Sequence, residues 1–324
     1  MSETSRGPGD RGLAPGDSVV VVGGTGLIGS ALGRVLAGCG LRPLLVSRHA
    51  PKAAQVAAGA LHLCLERHDV PRLLERGEFS TPHGTLGVID VLANSPAEVE
   101  PLLAAAARRA GRFVAIGSAA VFGRSPDGFR YAETHVVAPA TDAMRLKVAV
   151  EDSIAHANAA GHGATVLRLS YPYGPGHGPL TPLGREHRIF ADLAAGRRVT
   201  WVKPDALAPL QPLWTDDLAR GIAALLMRDA KPRPVYHVTG PETLTWEAYL
   251  GLLARGARTE GVSLLSVDEL LTLAPNAWWL RDYLPEAPLL ADTLFRAEVY
   301  ACETRLVDTA EAWAQWCAAA AEQS

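Results

Sequence analysis

The run Ser18-Val19-Val20-Val21-Val22 leads straight into Gly23-Gly24-Thr25-Gly26-Leu27-Ile28-Gly29, and this junction constrains the chain more than any other segment. A run of β-branched residues is what a strand buried on both faces requires. The apolar spacing from Leu27 to Ala37, with Gly38 and Gly40 beyond it, predicts a helix. Gly24, Gly26 and Gly29 satisfy G-x-G-x-x-G, and Gly23, Gly26 and Gly29 satisfy the wider G-x-x-G-x-x-G. A strand, a tight glycine turn and a helix N-terminus in that order let the backbone approach a pyrophosphate closely and offer it amides and a positive dipole end. Gly23, Thr25, Gly26, Leu27, Ile28 and Gly29 are therefore expected to cradle a dinucleotide.

The same rhythm continues. Strands are predicted at Leu44–Val46, His62–Leu65, Gly87–Leu92, Phe113–Ile116 and Ala164–Leu169, with helices at Ala53–Ala58, Val70–Leu74, Ala97–Ala110 and Thr141–Ala160. Alternating strands and helices imply right-handed crossovers, hence an α/β doubly wound parallel sheet of Rossmann type over residues 18–170. Beyond Ser170 the prolines and glycines crowd into a loop-rich passage, followed by a helix at Asp216–Arg228, a strand at Val235–Val238 and helices at Trp246–Leu253 and Asp308–Glu322. Residues 171–324 are read as a smaller, partly interleaved substrate lobe, with about 212–240 returning to the first domain. All of the tryptophans lie here: 201, 214, 246, 278, 279, 313 and 316. Taken singly each is expected to be core; together they offer stacking surfaces. Residues 1–17, rich in glycine, proline and charge, read as a disordered leader that buries nothing.

Composition narrows the function classes. Lys and Arg number 31 against 34 Asp and Glu, a net charge of −3, which argues against a broad basic face for nucleic acid. The four cysteines form no C-x-x-C pair and read as buried free thiols. No segment has the charge and apolar pattern of a signal peptide or a membrane span. A cytoplasmic protein is expected, monomeric or homodimeric, with a small-molecule partner.

Ser47-Arg48 stands about 20 residues beyond the glycines, where a carboxylate would select NAD by bonding the adenosine ribose. A guanidinium instead pairs with a 2′-phosphate, so NADPH (NADP+) is the expected cofactor.

With these features the chain resembles the extended short-chain dehydrogenase/reductases, the branch of nucleotide-sugar epimerases and dehydratases. The resemblance rests on Gly23–Gly29, Val88-Ile89-Asp90, Ile116–Gly123, Lys147-x-x-x-Glu151, Leu167–Gly176 and Trp214–Ala219, in that order. It implies that Ser118 and Lys147 are the serine and lysine of the family's catalytic trio. It also implies cofactor contacts from Ala93, Asn94, Lys147, Tyr171 and Pro172. The family's tyrosine, four residues before the lysine, is missing: the position holds Ala143. That tyrosine is the family's proton donor for carbonyl reduction, and a positioned general acid contributes about 10²–10⁴-fold.

Three functions are compatible with this departure. The first is an NADPH-dependent ketoreductase that finds its proton in water, in a hydroxyl such as Ser118, Tyr171 or Tyr173, or in a phenol on the substrate. Members lacking the tyrosine occur among the tailoring reductases of aromatic polyketide antibiotics, so the resemblance implies an aromatic, angucyclinone-type substrate. The second is a nucleotide-sugar epimerase or dehydratase, whose opening oxidation suffers more from the loss. The third is a non-catalytic NADPH-binding regulator. His177 and His187 are expected to have no catalytic part.

Overall fold

The computed structural model describes residues 11–322 apart from 52–57, 77–78, 80, 83–84, 110, 126–128 and 256–258. The strands β1 (Ser18–Val22), β2 (Arg42–Ser47), β3 (Leu61–Cys64), β4 (Gly87–Asp90), β5 (Arg112–Ser118), β6 (Gly163–Leu169) and β7 (Val235–Val238) form one sheet in the order β7-β6-β5-β4-β1-β2-β3. Every pairing is parallel, with registers such as Val20↔Leu44, Val20↔Val88 and Ser118↔Leu169. Val19 to Val22 are at most 2% exposed, because helices cover both faces and the strand has no solvent side.

The helix α1 (Leu27–Gly38) begins as expected directly at the glycine turn and packs beside α5 (Thr215–Met227) on one face. On the other face lie α2 (Val70–Arg76), α3 (Pro96–Arg108) and α4 (Asp142–Ala159). Thr141 caps α4 by accepting from the Met144 amide at 3.3 Å. The helix expected at Ala53–Ala58 falls almost wholly outside the described residues.

The later segment forms a second core around Trp201, Trp246, Tyr249, Leu253 and Trp313, held by short strand pairs. Val199–Val202 pairs with Val262–Leu265, and Tyr171–Tyr173 with Pro212–Trp214, each in parallel. Residues 212–240 run back onto the sheet through α5 and β7, and Phe295 and Cys302 also enter the first core.

Two expectations are corrected. The leader does bury surface before Ser18: Leu13 is 3% exposed and its amide donates to the Leu226 carbonyl at 2.8 Å. The buried Arg112 guanidinium bonds the carbonyls of Arg11, Arg228 and Ala230, stapling this segment beneath the sheet. Only residues 1–10 of that leader lie outside the description. The thiols are free, but Cys64 is exposed and Cys39 half-buried; only Cys302 and Cys317 are core residues. Among the described residues no helix is long and apolar enough to cross a membrane, and no cluster of metal-ligating side chains occurs.

Candidate functional site

Two openings lie at the carboxyl ends of the strands, where an open parallel sheet places its ligand sites. The first is a crevice of about 370 Å³ between β1, β2 and β4, bordered by Gly23, Ser47, Arg48, Arg67, Leu92 and Asn94. Gly23, the first residue of the glycine turn, borders it. Gly23 has φ +90°, and its amide and that of Gly24 both donate to the Val46 carbonyl. A Cβ at Gly29 would meet the Gly23 carbonyl oxygen at 2.3 Å, and one at Gly24 would meet Leu45 Cβ at 2.5 Å. Glycine at these positions is enforced by contact. Gly26, at the head of α1, caps the helix with no side chain. Of Gly23–Gly29 only Gly23 borders the crevice; the residues after it lead into the N-terminus of α1, and a tight glycine turn feeding a helix N-terminus fits the diphosphate of NAD(P).

Ser47 and Arg48 line the crevice wall, with Arg48 exposed. Ala93 is buried and Asn94 exposed at the crevice edge. A second arginine, missed in the sequence, stands beside them. Arg67 clamps the fully buried Asp90 with both guanidinium nitrogens, Nη1 to Oδ1 at 2.7 Å, and Asp90 Oδ1 also accepts from the Leu92 amide. The pair ties the turn after β3 to the end of β4. Its signal was the carboxylate of Val88-Ile89-Asp90, whose partner lies on a neighbouring strand connection.

The second opening is a cavity of about 270 Å³ beyond Ser118 at the end of β5. Ser118 Oγ accepts from the Ala120 amide at 3.2 Å, which leaves its own proton free to donate. Ser170, one residue past the strand that pairs with Ser118, also lines the cavity, and its hydroxyl has no hydrogen-bond partner. Trp278, Trp279, Tyr283 and Leu284 close the far wall. Trp201, Trp214, Trp246 and Trp313 are at most 8% exposed and belong to the cores, so only two tryptophans face this cavity.

Lys147 is half-buried on α4, and its ammonium donates to the Ala93 carbonyl at 3.0 Å. Burial lowers its pKa, opposed by the nearby carboxylates of Asp90, Glu151 and Glu98. One turn earlier Ala143 is exposed.

Tyr171 lines the cavity alongside Ser118, and Pro172 lines neither opening. The Tyr171 hydroxyl accepts from the Leu180 amide at 2.9 Å, the Arg185 guanidinium sits 5.0 Å from its ring centre, and burial raises its pKa. Tyr173, another of the hydroxyls considered as a proton source, is fully buried and paired with Thr309, away from both openings. His177 and His187 stack on one another at 6.0 Å, outside the cavity lining.

This geometry agrees with the comparisons to known proteins. The model of the NAD-dependent epimerase/dehydratase family matches residues 19–238. A dTDP-6-deoxy-L-talose 4-dehydrogenase (NAD(P)(+)) of Kitasatospora kifunensis is 31% identical over 232 residues, covering 66% of this chain and 71% of that protein. The dTDP-glucose 4,6-dehydratase of Bacillus anthracis in complex with NAD superposes with a TM-score of 0.76 at 15% identity, over 94% of this chain and 98% of that one. The UDP-glucose 4-epimerase of Thermus thermophilus in complex with NAD does so with a TM-score of 0.69 at 21% identity, over 94% and 99%. At such identities the superpositions speak for the fold alone. The glycine cradle and the matched span together place the chain in the NAD-dependent epimerase/dehydratase family, a Rossmann-type NAD(P)-dependent enzyme group to which it belongs.

Proposed function

We propose that the protein is an NADPH-dependent ketoreductase acting on a carbonyl of a flat aromatic polyketide of angucyclinone type. In this reading it is similar to the angucyclinone ketoreductase of simocyclinone biosynthesis. The observation that carries the reading is the cavity beside Ser118: its walls are mostly aromatic and aliphatic, Ser118, Ser170 and Gln211 are its polar side chains, and no Lys, Arg, Asp or Glu among the described residues lines it. A nucleotide sugar brings a diphosphate whose charge is best met by charge-assisted hydrogen bonds. A planar polycycle asks instead for flat apolar walls and a few directed polar groups.

Bound in the crevice, NADPH supplies a hydride. Lys147, with one proton on the Ala93 carbonyl, keeps two for the cofactor's ribose hydroxyls. Ser118, with its proton free, orients the substrate carbonyl by one hydrogen bond and is not the proton donor. Tyr171, kept neutral by burial, shapes the wall. With Ala143 in the tyrosine position, the proton comes from a phenol hydrogen-bonded to the substrate's own carbonyl, or from water.

A second reading, oxidoreduction at a nucleotide sugar, is favoured by the 31% identical talose dehydrogenase relative. The test is NADPH consumption with an aromatic ketone bearing a neighbouring phenol, with its O-methyl analogue, and with a dTDP-6-deoxy-4-keto sugar. Turnover of the phenolic ketone is expected, with loss on methylation. Ser118→Ala and Tyr171→Phe should each cost less than about tenfold, short of the roughly 10²–10⁴ of a true donor. Turnover of the sugar alone overturns the proposal in favour of the second reading. Tight NADPH binding with no reduction of any of these compounds favours a non-catalytic, NADPH-binding role.

A further inference from the structure

Arg168 lies on β6 in register with Gly117 of β5 on one side and His237 of β7 on the other. A Cβ at Gly117 would stand 2.7 Å from Val166 and 3.5 Å from Arg168 Cγ, so the glycine clears the space beside the arginine stem. The side chain is 7% exposed and makes a forked pair with Glu151, Nε to Oε1 at 3.0 Å and Nη2 to Oε2 at 2.6 Å. The same guanidinium covers the Phe122 ring at 4.9 Å, and Nη1 lies 3.3 Å from His237 Nε2. His237 Nδ1 lies within 3.2 Å of the Tyr131 and Ala291 carbonyls, which makes Nδ1 the donor and Nε2 the acceptor. Burial, then the neighbouring guanidinium, hold this imidazole neutral by pushing its pKa down to about 3.

A buried ion pair is poor evidence for stability, since an apolar layer of equal volume often serves as well. What it does supply is direction. Glu151 is four residues from Lys147 and on the same face of α4, while Phe122 ends the single turn that starts at Ser118. One planar cation thus ties the helix that presents the lysine to the turn that presents the serine.

We propose that Arg168 is a positioning residue: its forked, buried pair with Glu151 holds the Lys147 ammonium at the Ala93 carbonyl and so sets the protein's grip on the cofactor. The proposal rests on Lys147 binding the cofactor and not on which carbonyl is reduced.

The test is a double-mutant cycle read by NADPH affinity, followed by energy transfer from tryptophan to the nicotinamide in the intact chain, with no ketone present. Arg168→Met and Glu151→Gln should each weaken NADPH binding about five- to tenfold. Glu151→Gln combined with Lys147→Met should bind no more weakly than Lys147→Met alone, within about twofold, because the pair acts through the lysine. Arg168→Lys, which keeps the charge and loses the fork, should remain weak. Fully additive losses, wild-type affinity in Glu151→Gln, or full rescue by Arg168→Lys each overturn the proposal. Should Arg168→Met fail to fold, Glu151→Gln preserves side-chain size and carries the cycle unaided. Failure of the ketoreductase reading leaves these measurements unaffected.

Discussion

The crevice and the cavity both lie at the strand ends, yet they recognise by opposite means. The crevice is made around backbone: a turn with two glycines that have no room for a Cβ and a third at positive φ, leading into the head of α1, with charged side chains at its rim. The cavity is made of side chains: indole and phenol rings, leucines and prolines drawn from loops far apart in the chain. A diphosphate is the same in every dinucleotide, so a rigid backbone suits it. A substrate differs from enzyme to enzyme, and walls carried on loops can change without disturbing the sheet.

The sharpest way to break this contrast is to add one methyl group to the crevice. Gly29→Ala drives a Cβ to within 2.3 Å of the Gly23 carbonyl oxygen. The turn must shift, and NADPH affinity is expected to fall at least about 100-fold, near 3 kcal/mol. Isothermal titration checks this, with circular dichroism confirming that the sheet persists. Retained affinity would mean that the crevice is not backbone-built.

Arg48→Ala probes the rim and not the floor. The variant should bind NADPH about tenfold more weakly, near 1.4 kcal/mol, while NADH affinity stays unchanged, because only NADPH carries the 2′-phosphate. Equal losses for both cofactors would move recognition away from Arg48 and toward the neighbouring Arg67.

The smallest effect is expected across the boundary, in the cavity. Trp278 is 51% exposed, so its removal leaves the core intact. Trp278→Ala should raise KM for the aromatic ketone about fivefold, the worth of one aromatic contact, with NADPH affinity untouched. A change in cofactor affinity of the same size would show that the two openings are coupled, and that their separation into backbone and side-chain recognition is too simple.

The parts of the molecule legible in the sequence are those governed by local rules. Val19–Val22 reads as a two-faced strand, Gly23–Gly29 as a cradle and Leu27–Ala37 as a helix, because each follows from the conformational freedom or periodicity of adjacent residues. The doubly wound parallel sheet follows too, since strands alternating with helices imply crossovers of one hand. Ser118 and Lys147 could be named from motifs, and Ala143 as a departure from one.

Tertiary structure decided what no spacing encodes. Leu13 looks like part of a polar leader until Arg112, about a hundred residues on, supplies the guanidinium that staples its neighbours. Which tryptophans face a ligand depends on how separate segments close over one another: Trp313 is buried against Tyr173 and Phe190, whereas Trp278 and Trp279 turn to the cavity. The pairs Arg67–Asp90 and Arg168–Glu151 join different strand connections, and only a folded sheet brings their charges together. Backbone conformation is dictated by adjacent residues and can be read along the chain. The pairing of buried charges and aromatic rings is a property of distance in space, which the chain acquires only once the sheet has formed.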